Sequence, residues 1–458
     1  MIATIVYLIF ILTGFIYIFR GDNKYLNLAK VYVFSIPFFG LMYDVGVSLT
    51  IDRFWAVIML LVLILNKNLF KIEKSLKYLL FFIFYAFSIT IIISQFLPDT
   101  ANLFPPFRGK YRYITQILIW GLLIITVFYF TKYLKTEEDV KQLLKTLIIS
   151  SFTLSLIGIF QYLFYKRFGY DIIPIGFLQG EERSGIFDYE GKHIFRVSSI
   201  GGEPKHFAYT LSIVLPLLIF SKYFKIINLR YYFSISIVML INLFLTFSTQ
   251  GYILFILNIF IGLIFIIFYK GIKLKFIVYS SLIFAFIIIL LILNPIIFDL
   301  IKLRTIDRLT DPSIIGASSA IEDWNEAVIG FLNNNPHWLL TGVGLGNIHL
   351  YAQDYIPEYA NYMQNNVFVA KSGFLRLLSE TGIIGLFIFI IAYIRPLISI
   401  YKNSKQMNLF LLLIISSTYI FLDFLITQDG PGYIFFIMGI LYVIARKDFI
   451  TLRVIYEN

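Results

Sequence analysis

The chain has 458 residues, 59% hydrophobic and only 14% charged, a balance that excludes an ordinary soluble domain. Its formal charge of +11 is scattered over loop after loop rather than gathered in one stripe, which argues against nucleic acid as a partner. There is no cysteine, so disulfides, thiolate metal ligands and a thiol nucleophile are excluded.

A bilayer-crossing helix needs roughly 20 mostly apolar residues, and such runs follow one another almost end to end. They predict an all-α polytopic membrane protein, one domain over 1–458, with about 13 transmembrane helices (12–14). The expected spans are 2–19, 31–45, 54–70, 77–97, 113–131, 143–165, 207–221, 232–249, 252–269, 276–298, 374–394, 407–427 and 431–445. The first lacks a basic leader and a small-residue cleavage site, so it reads as a span and not a removable signal. "FSIPFFGLMYDVGVSLTIDRF" carries Pro37, Gly40, Asp44 and Asp52, which allows a broken or re-entrant pair there. Alternate loops collect Lys and Arg: Arg20, Lys24 and Lys30; Lys67, Lys71, Lys74 and Lys77; Lys132, Lys135, Lys141 and Lys145; and so on to Arg446, Lys447 and Arg453. That end is expected in the cytoplasm, with the C-terminus inside.

The opposite loops, 98–112, 166–206 and 299–373, are long and polar, and loops of that length usually carry function. In the last, Trp324, Ala327, Val328 and Phe331 recur at helical spacing and predict an amphipathic surface helix. The glycine string at 342–347 lacks the strand–helix setting of a dinucleotide fingerprint and the Lys of a P-loop, so it reads as tight turns. "YAQDYIPEYANYMQNNVF" suits sugar hydroxyls and ring faces, and suits a membrane interface equally well. Asp44 and Asp423 are the only carboxylates placed in or beside spans, which argues against a proton-coupled carrier. The absence of an internal repeat weakly disfavours a transporter of inverted halves. Asp299, Asp307, Asp311, Glu322 and Asp323 fit no compact metal loop, and no metal or other cofactor is predicted.

Chemistry is therefore expected at the outer surface. "FRVSSIGGEPKHFA" brings Arg196, Glu203, Lys205 and His206 to the start of a span. Lys205 and His206 read either as interfacial anchors, with the glycines and Pro204 shaping the helix start, or as part of a site. In the second reading Arg196 and Lys205 bind lipid-headgroup phosphates while Glu203 or His206 takes a proton from an attacking hydroxyl. "PPFRGKYRY" places Arg108, Lys110 and Arg112 outside, against the positive-inside trend, either to bind an anion or to pair with the acidic 181–190 loop. In "KSGFLRLLSETGIIGL", Ser372, Arg376 and Glu380 share a helix face, with Lys371 at its positive end. Gly382 and Gly385, with Thr381, are expected to let another helix approach.

With "TGVGLGN" followed by Ser372, nine residues, Gly382 and Gly385, the chain resembles the bacterial O-antigen polymerase and O-antigen ligase superfamily, a Wzy-like integral membrane polysaccharide polymerase. "RVSSIGGEPKHFA", "FSTQGY" at 247–252 and "DWNEAV" strengthen the likeness, in the expected order. Two departures stand out: Lys371 occupies the family's His position, and Gln250 and Ala320 lie where an arginine is often found. The first favours polymerase over ligase.

The resemblance implies a fold related to the C-type glycosyltransferases and metal-independent, inverting transfer between undecaprenyl-pyrophosphate-linked glycans. The place implied is the outer face of the bacterial inner membrane, in O-antigen and lipopolysaccharide biosynthesis. Arg196, Arg108, Arg112, Lys205 and Arg376 would hold the pyrophosphate, and Glu203, His206 and Lys371 would serve the chemistry. Partners implied are the lipid-linked glycans, membrane lipids and a chain-length regulator. A ligase or protein O-oligosaccharyltransferase is the alternative, and a lipid-linked glycan transporter the second.

Overall fold

The computed structural model describes residues 2–44, 48–66, 73, 76–173, 186–189, 192–270, 320–358, 364, 366–403, 407–427 and 431–446. The span expected at 276–298, the carboxylates Asp299, Asp307 and Asp311, and Lys67, Lys71, Lys74 and Lys447 fall outside them.

The described residues form an all-α polytopic bundle. In chain order its elements are α1 (Ile2–Arg20), α2 (Lys24–Ser35), the hairpin β1 (Met42–Asp44) and β2 (Ser48–Thr50), α3 (Ile51–Leu65), α4 (Lys77–Ile93), α5 (Arg112–Tyr133) and α6 (Glu137–Phe168). The hairpin β3 (Ile186–Tyr189) and β4 (Lys192–Phe195) leads to α7 (Pro204–Tyr223), α8 (Tyr232–Leu245) and α9 (Thr249–Lys270). Then come α10 (Ala320–Asn334), α11 (Trp338–Thr341), α12 (Ile348–Tyr351), α13 (Gly373–Asn403), α14 (Met407–Ile426) and α15 (Pro431–Ile444). Among the described residues six helices are long and apolar enough to cross a membrane, and four more are shorter and apolar.

Several boundaries differ from expectation, and two of them shape the site. The span expected at 31–45 is instead α2, capped where Asn23 Oδ1 accepts from Leu26 N at 3.1 Å. Lys24, Asn27 and Lys30 lower its hydropathy, and the helix ends at Ser35, just ahead of Pro37, which has no backbone N–H to continue it. The turn and hairpin that follow return the chain into α3, which starts at Ile51 rather than 54. At about 22 Å, α3 is shorter than the roughly 30 Å hydrocarbon core. Its first turn, with Asp52 buried, therefore lies within the depth of the bundle.

Lipid supplies no hydrophobic drive between helices, so close packing at small residues does more of the holding. α7 is buried along most of its length. A Cβ at Gly251 or Gly262 of α9 would run into Ala208 or Phe220 of α7. Gly439 of α15 meets Phe130 of α5 in the same way. Some polar groups inside pair across helices: Asn258 donates to Asp423 at 2.8 Å, and Tyr419 to the Ile213 carbonyl at 2.9 Å. α6 begins with a capping box between Thr136 and Asp139 and ends at Gly169, whose φ of 78° is left-handed.

α10 to α12 lie over the start of α13. Ala327, Val328 and Phe331 pack with Val343, Ile348 and Phe368 in an apolar cluster separate from the bundle core.

Candidate functional site

The site is organised around a break in α13. At Gly382 the backbone turns to φ 67°, ψ −178°, conformations that only glycine adopts readily, and the helix resumes beyond it. A break leaves the carbonyls of the preceding turn without helical donors. The glycine turn after α11 supplies them: Val343 N donates to Ser379 O and Gly344 N to Glu380 O, both at 2.9 Å. A Cβ on Gly342 would sit 2.4 Å from the Glu380 carbonyl carbon, and one on Gly382 2.3 Å from Leu340 O. Leu345 N donates to Thr90 Oγ1 at 2.9 Å, tying the same turn to α4. The close helix approach expected at Gly382 and Gly385 is met at Gly385, where α4 comes near, and not at Gly382. Gly382 is the break itself, met by the backbone of residues 340 and 341, while Gly385 lies against Thr381 and Tyr85.

The half-helix ahead of the break carries the charge. Ser372 caps it, accepting from Leu375 N at 3.3 Å and donating to Leu425 O at 2.8 Å. One turn on, Arg376 Nε lies 3.3 Å from Glu380 Oε1, and Nη2 donates to Gln116 Oε1 at 3.2 Å. The Glu380 side chain is fully buried. Arg112, at the start of α5, feels the attraction of Glu380 and the repulsion of Arg376 and Arg108, and its Nε has no hydrogen-bond partner among the described residues. Arg53, one residue after Asp52, is repelled by Arg376 and attracted by Asp52. Four guanidiniums thus stand near two carboxylates, Glu380 and Asp52, a surplus of two positive charges suited to an anion.

His349 locks the outer part of this cluster. Its buried ring lies between two backbone carbonyls, Nδ1 3.0 Å from Gly346 O and Nε2 2.8 Å from Arg108 O, and the neutral ring donates to one of them. Burial, then the charge of Arg112, pushes its pKa down from 6.5 to about 3.

A second group stands at the start of α7. Glu203 is the residue before its first turn, with Lys205 Nζ 3.5 Å from its carboxylate. His206 packs on Phe39, ring centroids 5.1 Å apart. Gly40 N donates to Ile200 O at 3.2 Å, and a Cβ on Gly40 would be 2.5 Å from Gly202 N, so the turn after α2 rests directly on this loop. Between them is a cavity of about 30 Å³ lined by Asp52, Arg53, His206, Tyr209, Thr210 and Tyr433, polar and roomy enough for about one water. Asp52 Oδ1 has no hydrogen-bond partner among the described residues.

The remaining candidates stand elsewhere. Arg196 Nε donates to Thr246 O at 3.1 Å, beside Val197 N on Leu245 O at 2.9 Å, and so caps the end of α8 at the "FSTQGY" turn. Lys371 Nζ lies 3.9 Å over the Trp324 ring, and its backbone N–H donates to Asn325 Oδ1 at 2.9 Å. The structure thus gathers Arg108, Arg112 and Arg376, and separately Glu203, Lys205 and His206. Asp52, Arg53, Gln116 and His349 were not anticipated as site residues. Asp52 and Arg53 fell just ahead of the expected start of α3, and Gln116 is a lone amide in an apolar run. Among the described residues no three His, Asp or Glu side chains are grouped to hold a metal ion.

Residues 234–390 match the family described as O-antigen ligase. No curated protein matches the chain significantly. The matched region contains the turn capped by Arg196, the glycine turn, Lys371, Arg376, Glu380 and the break at Gly382; Arg53, Arg108, Arg112 and the α7 group precede it. The match covers about a third of the chain, and over those residues the chain is similar to the O-antigen ligase family.

Proposed function

We propose that the protein is a polymerase that joins undecaprenyl-pyrophosphate-linked oligosaccharide repeat units into O-antigen or a related surface polysaccharide. The reaction is inverting and takes place at the outer face of the inner membrane. The observation that carries this reading is the group of arginines in which Arg112 and Arg376 stand by buried Glu380 while Arg108 neighbours Arg112 and Arg53 neighbours Arg376, with positive charge in surplus.

A hydroxyl of the acceptor glycan attacks the anomeric carbon of the donor sugar. The bond from that carbon to the pyrophosphate oxygen breaks, and the lipid pyrophosphate leaves with the electron pair. Negative charge grows on the leaving oxygen, and the Arg376 guanidinium, already fixed by Gln116 and Glu380, stabilises it without reorganising. The hydroxyl proton passes to Glu203, or to His206 as the second candidate. Lys371, held over an indole face at 3.9 Å, assists with the anion rather than with the proton. Lys205, beside Glu203, joins the pyrophosphate contacts when substrate is bound, whereas Arg196 holds the end of α8 through the Thr246 carbonyl.

The test is to give the purified, lipid-embedded protein its host's lipid-linked repeat unit alone and size the products on a gel. A ladder of multiples is the expected result. Glu203→Gln, or failing that His206→Gln, should then weaken the ladder about 10²- to 10⁴-fold, the usual worth of a general base. No ladder from folded protein and verified substrate overturns the polymerase. Product formed only when a different acceptor is added would establish the ligase, the reading that the matched family's description favours.

A further inference from the structure

At the opposite end of the bundle, where α2 and α6 begin, is a cavity of about 570 Å³ between α1, α2, α6 and the loop after α7. Its polar wall carries Lys30, Lys141, Lys145 and Glu138, and its apolar wall includes Tyr17 and Ile149. The α6 contributors recur at three- and four-residue steps, so one face of that helix forms the wall.

The carboxylates at the start of α6 are already engaged. Glu137 pairs with Lys141 at 2.8 Å, Glu138 accepts from Gln142 at 3.3 Å, and Asp139 accepts from the backbone N–H groups of Lys135 and Thr136, each at 2.9 Å. Lys30 is attracted by Asp139 and Glu138 and repelled by Lys145, and neither lysine forms a salt bridge to a carboxylate among the described residues. They lie about 9 Å along α2 and about 12 Å along α6, at 1.5 Å per residue, inside the edge of the bundle and not at its tip. Glu138 offsets one of these charges, and with Lys141 held by Glu137 the wall keeps net positive charge, which suits an anion. Tyr17 and Ile149, about half and more than a third exposed, supply an apolar flank suited to an acyl chain.

We infer that this cavity binds the phosphate of an anionic phospholipid, with Lys30 and Lys145 on the headgroup and its chain along Tyr17 and Ile149. The inference rests on residues distant from the arginine cluster and stands whether or not the proposed polymerase activity holds.

Native mass spectrometry of the purified full chain tests it, with phosphatidylglycerol or phosphatidylcholine of the same acyl chains added in turn. The wild type should prefer phosphatidylglycerol, and Lys30→Gln and Lys145→Gln should each reduce that preference about fivefold, the worth of one lysine at an anionic lipid surface. Lys145→Arg and the outlying Lys135→Gln should keep it, which separates loss of the site from loss of the fold. Equal binding of the two lipids by the wild type, or an unchanged preference in the double Gln variant, overturns the proposal. Displacement of the lipid by millimolar inorganic phosphate would assign the cavity to a soluble phosphate and overturn the lipid assignment.

Discussion

Glu380 is sealed from solvent with the Arg376 guanidinium against it, so the two side chains depend on each other. Arg376→Ala would strand a buried carboxylate, which typically costs about 3–5 kcal/mol. A marked drop in thermal unfolding midpoint is expected, together with loss of product. Arg376→Lys keeps the charge but cannot reach both Glu380 and Gln116, so it should recover stability better than activity. Equal recovery of both would show that the fork geometry has no part in the reaction. His349 gives a pH prediction. Its folded pKa of about 3 lies below the ordinary 6.5, so between those values the unfolded chain takes up a proton that the folded chain refuses. The contribution to stability is complete above about 6.5 and is lost as pH falls toward 3. Unfolding midpoints measured across that window should fall more steeply for the wild type than for His349→Asn. Parallel slopes would mean that the ring titrates normally in the folded protein.

Among the elements, α13 shows most clearly where a glycine cannot be replaced. Gly382→Ala would put a Cβ 2.3 Å from Leu340 O at a left-handed φ, forcing the glycine turn off the carbonyls of Ser379 and Glu380. Gly121, midway along α5, has nothing nearer than 3.9 Å to a Cβ, and Gly121→Ala should gain about 0.5–1 kcal/mol from helix preference alone. Thermal unfolding of the two variants in one detergent should move in opposite directions. The sequence pattern placed most helices, because a long apolar run has few alternatives in a bilayer. It did not place the break: Gly382 and Gly385 carry the same three-residue spacing whether they dock a neighbouring helix or end one, and only the tertiary approach of residues 340–344 decides. Arg376 and Glu380 were legible as one face from their spacing. Their convergence with Arg53 and Gln116 was not, since those come from helices far away in the chain, and α2 was hidden by its own polar residues.

At the scale of the whole molecule, the loops after α1 and α7 belong to one end of the bundle and the α4–α5 connection to the other. The lysine and arginine bias predicts that the first end faces the cytoplasm. The chain has no native cysteine, so single substitutions report without background. Leu103→Cys, exposed in the α4–α5 connection, should react with a membrane-impermeant maleimide in spheroplasts, and Asp22→Cys, between α1 and α2, only after permeabilisation. The reverse pattern would invert the topology and put the arginine cluster on the wrong side for a periplasmic reaction.

The shared backbone bonds between the glycine turn and the broken helix also bear on how this chain can be recombined with others that carry a similar segment. Residues 341–347 and 373–385 supply each other's missing donors and acceptors, so neither half carries its conformation alone. A chimera that exchanges the outer segment but keeps the native helix, or the reverse, joins two surfaces that were never fitted together. Transferring a property of this region from one chain to another therefore requires both stretches to travel as a single cassette.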